Sequence, residues 1–258
     1  MMTENTSAEN GKQNKIILII TGYLILYGVF ELTAKVTGDT ISPQNALLIS
    51  VCVLAAAVIV ELIFFRSRLS GLVKNLGLGK PGFKAMAASL VITLLLFLCY
   101  PLITIITGYR FAIPDNWFMP AIGVFALHGI AEEVLYRGFL FRRLRKGRSF
   151  WNAAFIAVIF FTIAHIPIIL NQGFLVGGMA VLLAVISSIP FSYLYEKGNN
   201  TIWAPAIVHA AIDTIIPILA AGQMDADATM AVTLWMAASM VIPYTAFLFL
   251  KSSKPSGK

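Results

Sequence analysis

Long apolar segments alternate with short polar ones along nearly the whole chain. About eight of them have the ~20 residues that a helix needs to cross the hydrocarbon core of a bilayer. They lie at roughly 16–34, 46–65, 84–107, 117–141, 150–170, 174–195, 201–220 and 229–250. The pattern predicts an all-α fold, a polytopic membrane bundle of about eight transmembrane helices.

The polar segments divide the chain into four parts. Residues 1–14 are polar and predict a disordered N-terminal tail. Residues 15–116 hold the first three transmembrane helices. Residues 117–220 hold helices four to seven and most of the ionisable residues that lie within apolar segments. Residues 221–258 hold the last transmembrane helix and a basic tail.

Composition agrees with a membrane environment. Hydrophobic residues make up 59% of the 258 residues, charged residues only 12%, and the mean hydropathy is +0.84. A soluble domain carries about 25% charged residues. Cys52 and Cys99 both lie in apolar segments, where they are expected to behave as small buried hydrophobic residues rather than as a disulfide.

The basic residues predict an orientation. If the N-terminus is cytoplasmic, all 19 lysines and arginines except Lys35, Arg110 and the intramembrane Arg137 fall on the cytoplasmic side. Both termini are therefore predicted to be cytoplasmic, and the net charge of +7 does not indicate a nucleic-acid partner. The basic loop 66–83 is expected to contact anionic headgroups. This charge bias and the small size favour a bacterial plasma (inner) membrane.

The fourth apolar segment contains the sequence Ala131-Glu132-Glu133-Val134-Leu135-Tyr136-Arg137. A charge at the bilayer centre costs at least ~2.5–3.5 kcal/mol, so these ionisable residues suggest a functional site. Glu133 and Arg137 are four residues apart and can pair on one helix face. Glu132 points about 100° away, and His128 lies four residues before it. The spacing thus predicts a structural ion pair and, separately, a carboxylate beside an imidazole.

Three more ionisable residues fall within the apolar segments that follow, namely His165, His209 and Asp213. Counted from the cytoplasmic ends, they and Glu132 lie at depths of roughly 14–22 Å, near the middle of the membrane. One site of this composition suits hydrolysis, with a glutamate as general base and imidazoles assisting. The same residues could instead bind Zn²⁺. Helix packing by satisfied polar residues is the alternative for each residue taken alone.

At this point the sequence resembles a known family over residues 120–220. Three motifs occur in order on apolar segments: EExxxR at Glu132, Glu133 and Arg137, FxxxH at Phe161 and His165, and HxxxN/D at His209 and Asp213. The set is similar to the signature of the CAAX protease and bacteriocin-processing (CPBP, or Abi) intramembrane proteases.

The resemblance implies a peptidase with its active site inside the bilayer and with residues 117–220 as its catalytic core. By motif position, Glu132 and His165 would activate the water, while His209 and Asp213 would form the oxyanion side or complete a metal site. The buried ion pair would orient its helix, with His128 in a supporting role.

The resemblance does not decide whether the site binds a metal ion. The family is often described as metalloproteases, and a metal-independent glutamate mechanism has also been proposed for it. Glu132, His165, His209 and Asp213 would be the zinc ligands to consider. Asp213 stands where the eukaryotic CAAX enzymes have Asn, and an ionised aspartate is a poor oxyanion donor. It would then have to be protonated, act on His209 or bind the metal.

The expected substrate is a hydrophobic or membrane-anchored peptide or protein. The resemblance implies peptide maturation, CAAX-type processing or bacteriocin self-immunity. Two other functions are considered: a transporter or proton-coupled carrier that uses the buried residues as a relay, and a non-catalytic immunity protein. The sequence provides no information on oligomeric state.

Overall fold

The structure, a computed structural model, describes residues 2–38, 42–113, 115–220 and 226–251. All regular elements in these ranges are helices. They are α1 (Met2–Thr37), α2 (Pro43–Ile63), α3 (Leu72–Asn75), α4 (Phe83–Thr107), α5 (Phe118–Arg145), α6 (Phe150–Leu170), α7 (Gly177–Lys197), α8 (Trp203–Asp213), α9 (Ile215–Ala220), α10 (Ala226–Val241) and α11 (Ala246–Phe249). The short 3₁₀ turns Leu69–Gly71 and Ile242–Thr245 precede α3 and α11.

The polytopic membrane bundle predicted from the sequence is confirmed. Seven helical segments in the described residues are long and apolar enough to cross a bilayer. Within the described residues, the predicted seventh span, 201–220, corresponds to a shorter apolar helical stretch over Trp203–Ile218. A polar turn with positive φ at Asn199 and Asn200 precedes it, so the helix begins at Trp203.

The structure describes residues 2–14 of the predicted N-terminal tail but only the first residue of the segment 251–258 at the other end. Helix α1 begins at Met2 and so includes residues for which the sequence predicts a disordered tail. Once the apolar part of a helix is formed, extending it costs little, because nucleation is the unfavourable step. Most of the predicted basic C-terminal tail, residues 252–258, lies outside the described residues.

Helix α5 lies at the centre of the bundle. It packs against α1 and α2 on one side and against α8 on the other. Its middle adopts wide π-helical turns over Phe125–Glu132 and Val134–Phe141. Such turns are rare in proteins and are frequently found at functional sites.

Two glycines allow close approach of other chain segments to α5. A Cβ atom at Gly138 would lie 2.4 Å from the carbonyl oxygen of Leu76 in the connector before α4. A Cβ atom at Gly129 would lie 3.1 Å from the carbonyl oxygen of Ala206 in α8. The absence of a side chain at these positions therefore lets α5 contact the connector and α8 backbone to backbone.

Helices α6 and α7 are separated by a break at Gly173, where φ is 80° and ψ is 168°. This left-handed backbone favours glycine, and it ends one membrane helix and allows the next to begin. The two separate spans predicted from the sequence are thus present. Pro190, which lies within the second of them, is accommodated inside α7.

The outer surface of the bundle is apolar. On α4, for example, Leu98, Leu102, Ile105 and Ile106 are exposed. Contiguous exposed apolar surface of this kind is rare on soluble proteins and here faces the hydrocarbon core. The chain is therefore a multi-pass membrane protein whose charged residues are concentrated inside the bundle or at its ends.

Candidate active site

Glu132 and His128 form the first part of the site, on the π-helical stretch of α5. The Nδ1 atom of His128 lies 2.8 Å from Oε1 of Glu132. Glu132 is buried, with 6% of its surface exposed. Its second oxygen, Oε2, has no hydrogen-bond donor among the described residues. Because an unpartnered buried carboxylate oxygen is costly, this atom is a candidate for contact with a reactant.

His209 and Asp213 come from one face of α8 and meet the first pair. The Nε2 atom of His209 lies 3.3 Å from Oδ2 of Asp213 and 3.9 Å from Oε2 of Glu132. The same Asp213 oxygen lies 3.4 Å from Nδ1 of His128. The four side chains that the sequence distributes over two helices therefore form one cluster.

The ion pair predicted within α5 is present. Arg137 donates from Nη1 to Oε1 of Glu133 at 2.8 Å and from Nη2 to Oγ of Ser188 at 3.1 Å. Its guanidinium lies 4.9 Å from the ring centroid of Phe161 and 5.1 Å from that of Phe191. These contacts hold α5, α6 and α7 together around a fully buried charge.

Glu133 has a second partner that the sequence analysis did not predict. The Nδ1 atom of His209 lies 2.8 Å from the Oε1 atom that also accepts from Arg137. Since an ion-paired carboxylate only accepts hydrogen bonds, Nδ1 of His209 donates. The ion pair therefore fixes the orientation of the His209 ring, and Nε2 is the atom that faces Asp213 and Glu132.

His165 reaches the site from α6. Its Nδ1 atom lies 2.8 Å from the carbonyl oxygen of Phe161, and the two rings have centroids 4.4 Å apart. A carbonyl oxygen accepts, so Nδ1 carries a proton and Nε2 is left with the lone pair of a neutral imidazole. Phe161 thus positions His165 through its backbone and ring.

One cavity of about 470 Å³ is lined by five of these polar side chains: His128, Glu132, His165, His209 and Asp213. The rest of its wall is mostly apolar and comes from α1, α5, α6, α7, α8 and α10 as well as α9. A concave apolar cavity with a few convergent polar groups is the usual form of a ligand or active site. Its size and lining suit a hydrophobic peptide segment.

A possible metal-binding group also occurs here, though not the one considered from the sequence. The described residues include His128, His209 and Asp213 with ligand atoms that all lie within 4.8 Å of one another. Two imidazoles and a carboxylate match the donor preference of zinc at a hydrolytic site. In this group His128 takes the place that the sequence considered for His165 and Glu132.

Two residues of the site were missed by the sequence analysis. Ser188 binds Arg137, and the Phe191 ring lies 5.0 Å from the His209 ring. Ser188 could have been identified from the sequence, since Ser187 and Ser188 are two adjacent hydroxyl residues in an otherwise apolar segment. Nothing in the sequence distinguishes Phe191, because phenylalanine is common in membrane helices.

Comparison with protein families supports the resemblance. The model of the family described as "Type II CAAX prenyl endopeptidase Rce1-like" matches residues 114–215, which contain α5 to α8 and every motif residue. The similarity to the CPBP and CAAX proteases that the motifs indicate is thereby confirmed over this part of the chain. Neither the curated proteins nor the solved structures gave a match.

Proposed function

We propose that the chain is an intramembrane endopeptidase that hydrolyses a hydrophobic or membrane-anchored peptide, with Glu132 as the general base. The observation that carries this proposal is the difference in hydrogen bonding between the two carboxylate oxygens of Glu132. Oε1 is held by His128, whereas Oε2 has no donor among the described residues and belongs to a side chain that lines the cavity. A carboxylate held in this way is suited to accept a proton from water.

In the proposed reaction, Glu132 accepts a proton from water as the hydroxide adds to the substrate carbonyl carbon. The neutral His165, with its Nε2 lone pair, accepts the second hydrogen bond of the attacking water. His209 in its doubly protonated form, with Nδ1 bound to Glu133, donates from Nε2 to the oxygen that becomes negative. The C–N bond then breaks, and the proton on Glu132 passes to the leaving nitrogen.

Asp213 has a positioning role in this mechanism. Its Oδ2 lies between Nε2 of His209 and Nδ1 of His128, where a carboxylate accepts and does not donate. The sequence left three roles open for this residue, and its position against His209 supports two of them, orientation of the imidazole and metal binding.

The first prediction tests the base. Purified protein in lipid nanodiscs would be incubated with a pool of hydrophobic membrane-anchored peptides, with and without a prenylated CAAX end, and products identified by mass spectrometry. Glu132→Gln is expected to lower cleavage by about 10²–10⁴-fold, the usual contribution of a general base. Glu196→Gln is the matched control, since Glu196 pairs with Arg145 near one end of the bundle, outside the cavity.

Full cleavage by Glu132→Gln would contradict the assignment of the base. A wild-type protein that instead moves protons or solutes across liposomes, with no cleavage product in the pool, would favour the carrier. Loss of activity in both glutamate variants would indicate a general effect of charge or folding.

Zinc is the second candidate mechanism, favoured by the group His128, His209 and Asp213. When bound there, the ion would supply Lewis-acid chemistry for the carbonyl group and water. Elemental mass spectrometry of detergent-purified protein tests this. The metal mechanism predicts near-stoichiometric zinc in the wild type and in His165→Ala, and its loss in a His128→Ala/His209→Ala double variant.

Loss of zinc in His165→Ala as well would indicate the ligand set considered from the sequence. A folded wild type that retains no zinc after supply and removal of excess would contradict the metal mechanism and favour the glutamate mechanism.

A further inference from the structure

A second cavity, of about 730 Å³, lies at one end of the bundle. It is formed where three membrane helices reach the surface: the start of the α1 span at Lys15, the residues just after α2 such as Phe65, and the end of α5 at Arg142. It shares no lining residue with the candidate active site. Its position at three helix ends places it at the boundary between hydrocarbon and headgroups.

The lining of this cavity is strongly basic. Five cationic side chains and one carboxylate line it, namely Lys15, Arg142, Arg143, Lys146, Arg148 and Glu61. Glu61 is fully buried and already accepts from Arg142 at 3.2 Å, from Arg143 and from Ser67 at 2.7 Å. One carboxylate shared in this way cannot balance the remaining positive charge of the cavity.

Two of the cations are available to a ligand. Among the described residues, the ammonium groups of Lys15 and Lys146 have no hydrogen-bond or ion-pair partner. Partial burial and the nearby Arg142 and Arg143 guanidinium groups lower the pKa of Lys146. A positive potential of this kind favours an anion, which would offset the repulsion among the cations.

The apolar part of the cavity indicates the source of the anion. Ile16, of which 43% is exposed, lies beside Ile19 and the half-buried Phe65 in the same wall. A free phosphate has no apolar part that could contact this surface, whereas the acyl chains of a phospholipid would cover it. Basic pockets between membrane helices are known to bind anionic headgroups.

We propose that this cavity binds an anionic phospholipid, whose phosphate lies between Lys15 and Lys146 and whose acyl chain covers Ile16 and Phe65. Binding at this cavity is specific, in contrast to the general attraction between the basic loops and an anionic membrane surface. It joins α1, α2 and the end of α5, so the bound lipid would stabilise the helix that carries Glu132.

Native mass spectrometry with equal amounts of phosphatidylglycerol and phosphatidylcholine tests the proposal. The wild type is expected to retain phosphatidylglycerol selectively, and Lys15→Gln/Lys146→Gln to lose that preference by at least about tenfold. The matched control is Lys80→Gln/Lys84→Gln, which removes the same charge around the start of α4 and leaves the cavity intact. The control is expected to remain within about twofold of the wild type.

An equal loss in both double variants would overturn the specific site in favour of diffuse attraction, and no loss in either would overturn it altogether. Thermal unfolding separates the two sources of phosphate. Phosphatidylglycerol is expected to raise the Tm of the wild type and not that of the cavity variant. If inorganic phosphate alone raises the wild-type Tm as much as the lipid does, the lipid assignment is overturned. Size-exclusion profiles and the lipid-free Tm check that each variant folds.

Discussion

At the level of single residues, the two adjacent glutamates have different partners but are connected through His209. Glu132 binds His128, while Glu133 binds both Arg137 and His209. The i,i+4 spacing predicted both contacts within α5, because they depend only on local helix geometry. It could not predict the bond from His209 to Glu133, which depends on how α8 packs against α5.

Removal of Arg137 is predicted to be strongly destabilising. Arg137 and Glu133 are almost fully buried, and loss of one partner of a buried pair costs about 3–5 kcal/mol because the other charge stays buried. Arg137→Ala is therefore expected to lower the Tm, followed by tryptophan fluorescence in detergent, and to do so more than Glu132→Gln.

Arg145→Ala is the control for this prediction. Arg145 pairs with Glu196 at the surface, where 37% and 28% of the two side chains are exposed, so its loss is expected to cost about 0–1 kcal/mol. Equal Tm values for the two arginine variants would count against a structural role for the buried pair.

At the level of helices, the sequence predicted the spans well and the detailed path of α5 poorly. Most span boundaries agree within a few residues, because the length of an apolar segment is set by the thickness of the bilayer. The π-helical turns of α5 were not predicted. Glycines within these turns contact the connector before α4 and α8, and local residue preferences do not describe such tertiary contacts.

The glycine at position 138 is predicted to be essential for packing of α5. A methyl group there would clash with the backbone of Leu76, so Gly138→Ala is expected to destabilise the protein by about 1–3 kcal/mol. Gly28→Ala in α1 is the matched control, because nothing lies within 4 Å of the added Cβ atom. Its Tm is expected to be unchanged or slightly higher, since alanine favours a helix. Similar Tm losses in both variants would contradict close packing at Gly138.

At the level of the whole molecule, the number of crossings decides the topology. Seven helical segments in the part of the chain that the structure describes are long and apolar enough to span, and the apolar stretch Trp203–Ile218 in α8 and α9 is shorter. The bias of lysine and arginine predicts that both termini lie on the cytoplasmic side, which requires the short segment to complete an eighth crossing.

Fusions of a fluorescent protein and of alkaline phosphatase to each terminus test this prediction. Fluorescence from both termini, with phosphatase inactive at both, is expected. Phosphatase activity at the C-terminus alone would mean that the chain crosses seven times and that the α8–α9 segment turns back within the bundle.

The unequal exposure of the clustered side chains also bears on hydration. His128 and Asp213 have 23% and 18% of their side chains exposed, whereas His209 and Glu132 have 9% and 8%. Asp213 is the last residue of α8, and the other end of α8 is tied to the connector by a bond from the Ile202 amide to the Gly77 carbonyl. A hydrolase inside lipid must be supplied with water at every turnover, and in this cluster water would meet His128 and Asp213 before it meets the proposed base.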